Sequence, residues 1–160
     1  MRLPFLGRSV CTIDEKRRLT LPARFRELLA MEESPYLVTT LGLRGCIYLV
    51  PNARWDELTP NLLRAAFQGE SEAVLLRSNF ARYGNLCRMD NNGRITLTDE
   101  QTEVAGLEKQ AVVFGNFTMI EIWNPEQFEQ HNPRVADTAV HDRRIMRYVG
   151  TMNDTGGRQP

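Results

Sequence analysis

The sequence predicts an α+β fold made of two copies of one strand–turn–strand–helix unit with a helical insertion between them. Three observations predict it. Sliding the chain against itself by 76 positions places Cys11 on Cys87, Ile13 on Met89, Asp14 on Asp90, Arg18 on Arg94, Leu19 on Ile95, Thr20 on Thr96 and Leu21 on Leu97. A shift two residues shorter then brings Val38 onto Val112 and Pro51 onto Pro125. Within each copy, short alternating apolar stretches bounded by turn residues precede a stretch with helical spacing, so each copy is one supersecondary unit.

In the first copy, Arg8 to Ile13 reads as a strand, Asp14-Glu15-Lys16-Arg17 as a polar turn, and Arg18 to Leu21 as a returning strand with Leu19 and Leu21 on one face. The expected product is a hairpin with a charged tip. Pro22 suits the first position of a helix, in which Phe25, Leu28 and Leu29 form one apolar stripe. Tyr36 to Thr40 and Cys46 to Val50 follow as strands joined by a turn containing Gly42 and Gly45.

The second copy runs Leu86 to Met89, turns through Asp90-Asn91-Asn92-Gly93 and returns through Arg94 to Leu97. Asn-Gly is a strong hairpin signal. Thr98-Asp99-Glu100-Gln101 reads as a capping box, which sets the start of this helix about one residue later than its twin. Ala111 to Phe114 and Met119 to Trp123 complete the copy, with Ile120 and Ile122 on one face and Glu121 on the other. The expected organisation is a first repeat over 1–51, a helical connector over 52–84, a second repeat over 85–131 and a poorly patterned tail over 132–160, in which Val140 to Val149 has helical character. In the connector, Trp55, Leu58, Leu62, Leu63, Ala66, Phe67, Leu76, Phe80 and Tyr83 recur at helical spacing, and its aromatics are expected in the core.

With 42% hydrophobic and 25% charged residues, the chain can bury a substantial core. Its apolar runs are too short for a membrane span or a signal-peptide core. Cys11, Cys46 and Cys87 form no close pair and stand far from His131 and His141, so neither a disulfide framework nor a metal site is indicated; small buried hydrophobes in a reducing compartment are expected. Net charge is zero, which argues against a uniformly basic nucleic-acid-binding surface. Locally the balance differs. Within the first thirty residues, Arg2, Arg8, Lys16, Arg17, Arg18, Arg24 and Arg26 face only Asp14, Glu15 and Glu27. Lys16 and Lys109 are the only lysines, so positive charge is carried by arginine, whose planar fork suits guanine edges and phosphates.

The turns are where function is expected. A hairpin buried at its base keeps its tip in water, so tip residues are free of packing duty. Asp-x-x-x-Arg occurs at both, as Asp14 to Arg18 and Asp90 to Arg94. In this reading the aspartate bonds backbone N–H groups two residues on, while the arginine projects to a base edge or phosphate. The plainer alternative has each aspartate and arginine simply pair across a surface turn, worth at most about 1 kcal/mol. Recurrence in both copies, with Lys16 and Arg17 added in the first, favours the binding role.

Thr12 to Arg26, Met89 to Ile95, Ala105-Gly106-Leu107, Gly45-Cys46 to Trp55 and Ile120 to Trp123 together resemble the MraZ family, within the wider group of AbrB-like swapped-hairpin proteins. The similarity spans roughly residues 7 to 131. It implies duplicated swapped-hairpin β-barrel units with short helices, and a ring-shaped homo-oligomer. It further implies a cytoplasmic, nucleoid-associated transcriptional regulator that binds double-stranded DNA at tandem repeats upstream of the division and cell-wall gene cluster. No catalysis, cofactor, metal, membrane or small-molecule substrate is implied. The DNA-contacting positions carried over are Asp14, Lys16, Arg17, Arg18, Asp90, Asn92 and Arg94.

The sequence departs from that pattern at Arg17, where the family usually has glycine, at Asn92, where it has lysine, and at Thr98, where it has proline. Asp99, Glu100 and Glu103 make the second copy locally acidic, so the first tip is expected to dominate the electrostatics. Two rival readings are weaker. An aspartic-protease-like Asp14/Asp90 dyad lacks the Asp-Ser/Thr-Gly turn, and Lys16, Arg17 and Arg18 would keep one member ionised. An antitoxin or scaffold binding a partner through residues 132–160 would normally carry one hairpin per chain, not two.

Overall fold

The arms of each predicted hairpin part just beyond the turn. In the computed structural model, which describes residues 2–134 and Arg147, a single bridge from Ile13 to Leu19 closes the first turn. Beyond it, β1 (Phe5–Thr12) pairs with β7 (Gln110–Phe117) of the second copy, and β2 (Arg18–Thr20) pairs with β6 (Arg94–Thr96). The second copy reciprocates, because β5 (Asn85–Arg88) pairs with β3 (Tyr36–Leu41) of the first. The two copies are interleaved.

Pairing registers carry the same symmetry as the sequence. Cys11 opposite Ala111 becomes, when the copies are exchanged, Cys87 opposite Leu37, which is the observed pair. Arg18 opposite Thr96 becomes Arg94 opposite Thr20. At the sheet centre β4 (Ile47–Pro51) meets β8 (Met119–Trp123), where Ile47 with Ile122 becomes Glu121 with Tyr48. A pseudo-twofold axis therefore relates the copies, and Leu19 with Ile95 is a pair of equivalent residues lying on it.

The expected β-barrel is not formed. Six strands make one open antiparallel sheet in the order β1-β7-β8-β4-β3-β5, and β2 with β6 makes a separate two-stranded ribbon. β1 and β5 are the two edges of this sheet, each paired on one side only with a strand of the opposite copy, and they do not pair with each other.

One apolar cluster unites both copies: Leu19, Leu21, Phe25 and Leu29 pack with Ile95, Leu97, Ala105 and Leu107, and with Ile47, Leu49, Ile120 and Ile122 from the sheet centre. Phe5 and Phe25 meet edge to face at 5.9 Å. The far side of the central strands is covered too, by Cys46, Val112, Trp123 and Phe128. Glu121, expected opposite the Ile120–Ile122 face, is on that opposite face but buried, accepting hydrogen bonds from Asn116 Nδ2 at 2.9 Å and Trp123 Nε1 at 2.8 Å. Cys46 is buried and Cys11 and Cys87 half-buried, all as free thiols; burial pushes Cys46 up to about 12 and Cys87 up to about 11.

Helix α1 (Ala23–Ala30) follows Pro22, which stands just before it and not within it, and α5 (Asp99–Val104) begins with the expected capping box of Thr98 and Gln101. Ala23 and Asp99 are equivalent positions, so the two helices start in register and the predicted one-residue delay is absent. The cap fixes the same start that Pro22 fixes by its own φ. Gln101 occupies the place of Phe25 and is fully buried, its Nε2 donating to the Tyr83 carbonyl at 2.7 Å and the Thr39 carbonyl at 3.2 Å.

The connector consists of α2 (Asn52–Leu58), α3 (Pro60–Phe67) and α4 (Ser71–Tyr83). Trp55 and Phe80 pack at 5.6 Å, and Tyr48 meets the same Phe80 ring at 6.2 Å. Phe67 is not core: it is 91% exposed at the end of α3, because the Gln68-Gly69-Glu70 break turns the chain before anything covers it. In α2, Arg54 stands where α6 (Pro125–His131) has Phe128; it is buried, clasped by Glu32 at 2.7 and 2.8 Å, and lies 4.4 Å over the Phe5 ring. The chain separates into two compact units, Met1–Phe128 and Glu129–Pro160, and all strands and helices α1 to α5 lie in the first. The helix expected over 140–149 falls outside the described residues apart from Arg147, which is helical. Among the described residues, no helix is long and apolar enough to cross a membrane.

Leu19→Ala and Ile95→Ala should each cost about 2–5 kcal/mol, since both side chains are fully buried. As direct cross-strand partners they should also couple by about 0.5–3 kcal/mol in a urea-denaturation double-mutant cycle. Strict additivity would contradict the ribbon pairing.

Candidate nucleic-acid interface

Each tip is a turn closed by a residue in the left-handed region. In the first, Arg17 N donates to the Asp14 carbonyl and Asp14 N to the Arg18 carbonyl, both at 3.0 Å, with Arg17 at φ 60°. In the second, Gly93 N donates to Asp90 O at 3.0 Å and Asp90 N to Arg94 O at 2.8 Å, with Gly93 at φ 73°. This is the three-residue loop that ends in a left-handed residue. That residue's carbonyl is turned toward the other copy, where Leu97 N donates to Arg17 O and Leu21 N to Gly93 O, each at 2.9 Å. The turn geometry thus stitches the copies together.

The aspartates do both jobs that the sequence offered as alternatives. Asp14 Oδ1 accepts the backbone N–H groups of Lys16 and Arg18 at 2.9 Å, while Oδ2 accepts Arg18 Nε at 2.6 Å. Asp90 repeats this with Asn92 N, Arg94 N and Arg94 Nε, all at 2.9 Å. The backbone N–H of the tip arginine, followed by its side chain, holds each carboxyl below its ordinary value of 3.8. Clamping Nε orients each guanidinium and leaves both Nη groups unbonded by any described residue.

Alternation along the ribbon decides which face meets solvent. Leu19 and Ile95 point inward with no exposure, so Arg18, Thr20, Arg94 and Thr96 share the outer face. Arg18 lies opposite Thr96, two residues from Arg94, so the arginines are offset by about 7 Å along the strands. Lys16 and Asn92 flank this face on exposed tip positions.

All seven residues singled out from the sequence therefore gather at one ribbon and its two ends. Thr20 and Thr96 belong to the same face and were overlooked, although both stand in the repeat match; period-two alternation would have found them. Arg26 of α1 was overlooked for a different reason. Its side chain lies against Gly93 of the second tip, where an added Cβ would collide with it, and no local pattern links residues so far apart. Arg17, at the first tip, reaches Asp99 of α5 with Nη1 at 2.7 Å.

The family model described as "MraZ protein, putative antitoxin-like" matches residues 5–78 and 81–147. The chain belongs to the MraZ family. It is similar to the transcriptional regulator MraZ of Saccharopolyspora erythraea, 37% identical over 127 residues, covering 79% of this chain and 85% of that protein. The transcriptional regulator MraZ of Moorella thermoacetica is 35% identical over 133 residues, covering 83% and 90%. That of Thermomicrobium roseum is 36% identical over 124 residues, covering 78% and 84%. These MraZ relatives are named as regulators, not enzymes, and the matched regions of the MraZ model include both tips.

Two predictions concern the tips themselves. Because the Asp14 and Asp90 carboxyls are lowered in the fold, their stabilisation is complete above the unfolded value near 3.8 and is lost as pH falls through the lower folded value. NMR titration should place both side chains below 3.8, with the Lys16, Arg18, Asn92 and Arg94 amides shifting in step. Arg17→Gly should raise stability by about 1 kcal/mol by relieving a left-handed side chain, measured by urea denaturation.

Proposed function

We propose that this chain is a sequence-specific, double-stranded-DNA-binding transcriptional regulator that works in the cytoplasm on the nucleoid. One observation carries the reading: a short antiparallel ribbon presents two aspartate-clamped arginines, Arg18 and Arg94, on one outward face. A two-stranded ribbon is one of the two elements that the major groove of B-DNA admits, and arginine Nη groups match the O6 and N7 acceptors of guanine. Asp14 and Asp90 hold the arginines in place, Lys16 and Arg17 add phosphate-directed charge at one end, and Asn92 offers an amide at the other.

The family resemblance supports extending the reading further. The target is tandem repeats upstream of the division and cell-wall gene cluster, and the working form is a ring-shaped homo-oligomer. A ring repeats the ribbon around its circumference, which suits repeated sites and lets a chain of zero net charge concentrate cations on one surface.

Arg18→Ala should weaken specific binding by about 1–3 kcal/mol while leaving binding to random duplex less affected. Lys16→Ala should weaken all duplexes alike and flatten the salt dependence. Footprinting upstream of the protein's own gene should show protection at direct repeats, and unchanged gel-shift affinity in Arg18→Ala would sink the assignment. Removal of residues 132–160 should leave DNA affinity intact; its loss would favour a tail-dependent, partner-binding antitoxin.

A further inference from the structure

The two tips are unequal in sequence, the first having Lys16, Arg17 and Arg18 where the second has Asn92, Gly93 and Arg94. Interleaving changes the comparison. The position equivalent to Arg17 is Gly93, and the Arg26 side chain of α1 lies against it, crossing from the first copy to the second. The position equivalent to Arg26 is Thr102, a much smaller residue, on the same helix as Asp99 and one turn from it. The left-handed corner of each tip therefore has one arginine and one small residue. At the first tip the arginine is the corner residue itself, with threonine at the helical position; at the second the corner is glycine and the arginine comes from the helix.

Packing supports a true exchange of roles. An added Cβ at Gly93 would strike Arg26 Cδ, Nε and Nη1, so an arginine at the second corner would push the Arg26 side chain out of its seat. Arg17 Nε and Arg26 Nε are alike in being buried with no hydrogen-bond partner among the described residues. In each, the Nε edge is pressed against the fold.

We infer that each tip is completed by one corner arginine, Arg17 in the first and Arg26, supplied across the pseudo-twofold axis, in the second, and that both touch DNA phosphate. This rests on the DNA-binding reading above. It replaces the expectation of a dominant first tip: Arg26 restores a cation to the second, while Asp99, from the second copy, neutralises part of Arg17 at the first. The tips become matched anion-binding ends of one ribbon.

The test uses the full chain, with fluorescence anisotropy on two labelled duplexes, one from the region upstream of its own gene and one of random sequence, across a salt series. Arg26→Met keeps the aliphatic packing over Gly93 and removes the charge. It should weaken both duplexes several-fold and flatten the log–log salt slope by about 1 for each tip engaged. Arg26→Lys should restore the slope, which packing alone would not do. Asp99→Asn should strengthen binding to both duplexes. In a second arm, Arg17→Gly should lose slope and Arg17→Gly with Thr102→Arg should regain it, because the first tip then copies the second. Gly93→Arg should lower the urea midpoint, and adding Arg26→Thr should recover the part of that loss due to the collision while the left-handed strain remains, a readout independent of DNA. If Arg18→Ala abolishes specific binding while Arg26→Met leaves affinity and slope at the wild-type values, the corner role of Arg26 is refuted and the DNA reading stands. If the wild-type chain binds neither duplex, the DNA reading fails and this inference with it.

Discussion

Pairing between Arg18–Thr20 and Arg94–Thr96 sets where the rest of the chain can go. Because β2 is satisfied by β6, β1 is left without the partner that the turn would otherwise give it, and it runs to β7. The same holds for β5 and β3 by symmetry. Leu19 and Ile95, equivalent residues facing each other with no exposure, tie this ribbon into a core that neither copy could assemble alone. A sheet built this way obtains a long-range interface from a short-range device, a turn that reverses the chain and then lets its arms diverge.

The turn also explains how structure and binding share residues without conflict. Left-handed backbone at Arg17 and Gly93 points a carbonyl at the opposite copy, and the aspartate three residues earlier absorbs the N–H groups that this bend leaves open. Those obligations fall on backbone and carboxylate. Guanidinium Nη groups and threonine hydroxyls remain on the outer face, where a duplex can meet them. Replacing the corner glycine by Arg17 adds charge at the cost of backbone strain, and the second copy obtains a comparable charge without that strain by taking it from α1.

Departures between the copies follow the same logic elsewhere. Phe25 becomes Gln101, which is tolerable in the core because its amide is spent on Thr39, Tyr83 and the Thr98 cap. Phe128 becomes Arg54, which is tolerable because Glu32 and backbone carbonyls of Leu3 and Phe117 surround its guanidinium. A buried polar group that is fully engaged can stand in for an aromatic; one left open could not. These asymmetries mark where duplication has been followed by independent repacking around one shared frame.

Much of this was legible in the chain itself. The self-match, the Asp-x-x-x-Arg tips, the capping box at Thr98 and Gln101 and the strand Met119–Trp123 are local patterns, fixed by backbone chemistry and side-chain period within a few residues, and the structure places them where they were read. The partner of each strand was not legible, since alternation says which face is buried but not which copy supplies the neighbour. For the same reason the open sheet, the buried Glu121, the exposed Phe67 and the seat of Arg26 against Gly93 emerged only from the tertiary structure. Two tips and the chemistry each carries follow from residues adjacent in the chain. That they flank one ribbon and exchange charge rests on contacts between residues far apart in the chain, Arg26 with Gly93 and Arg17 with Asp99, which no local pattern encodes.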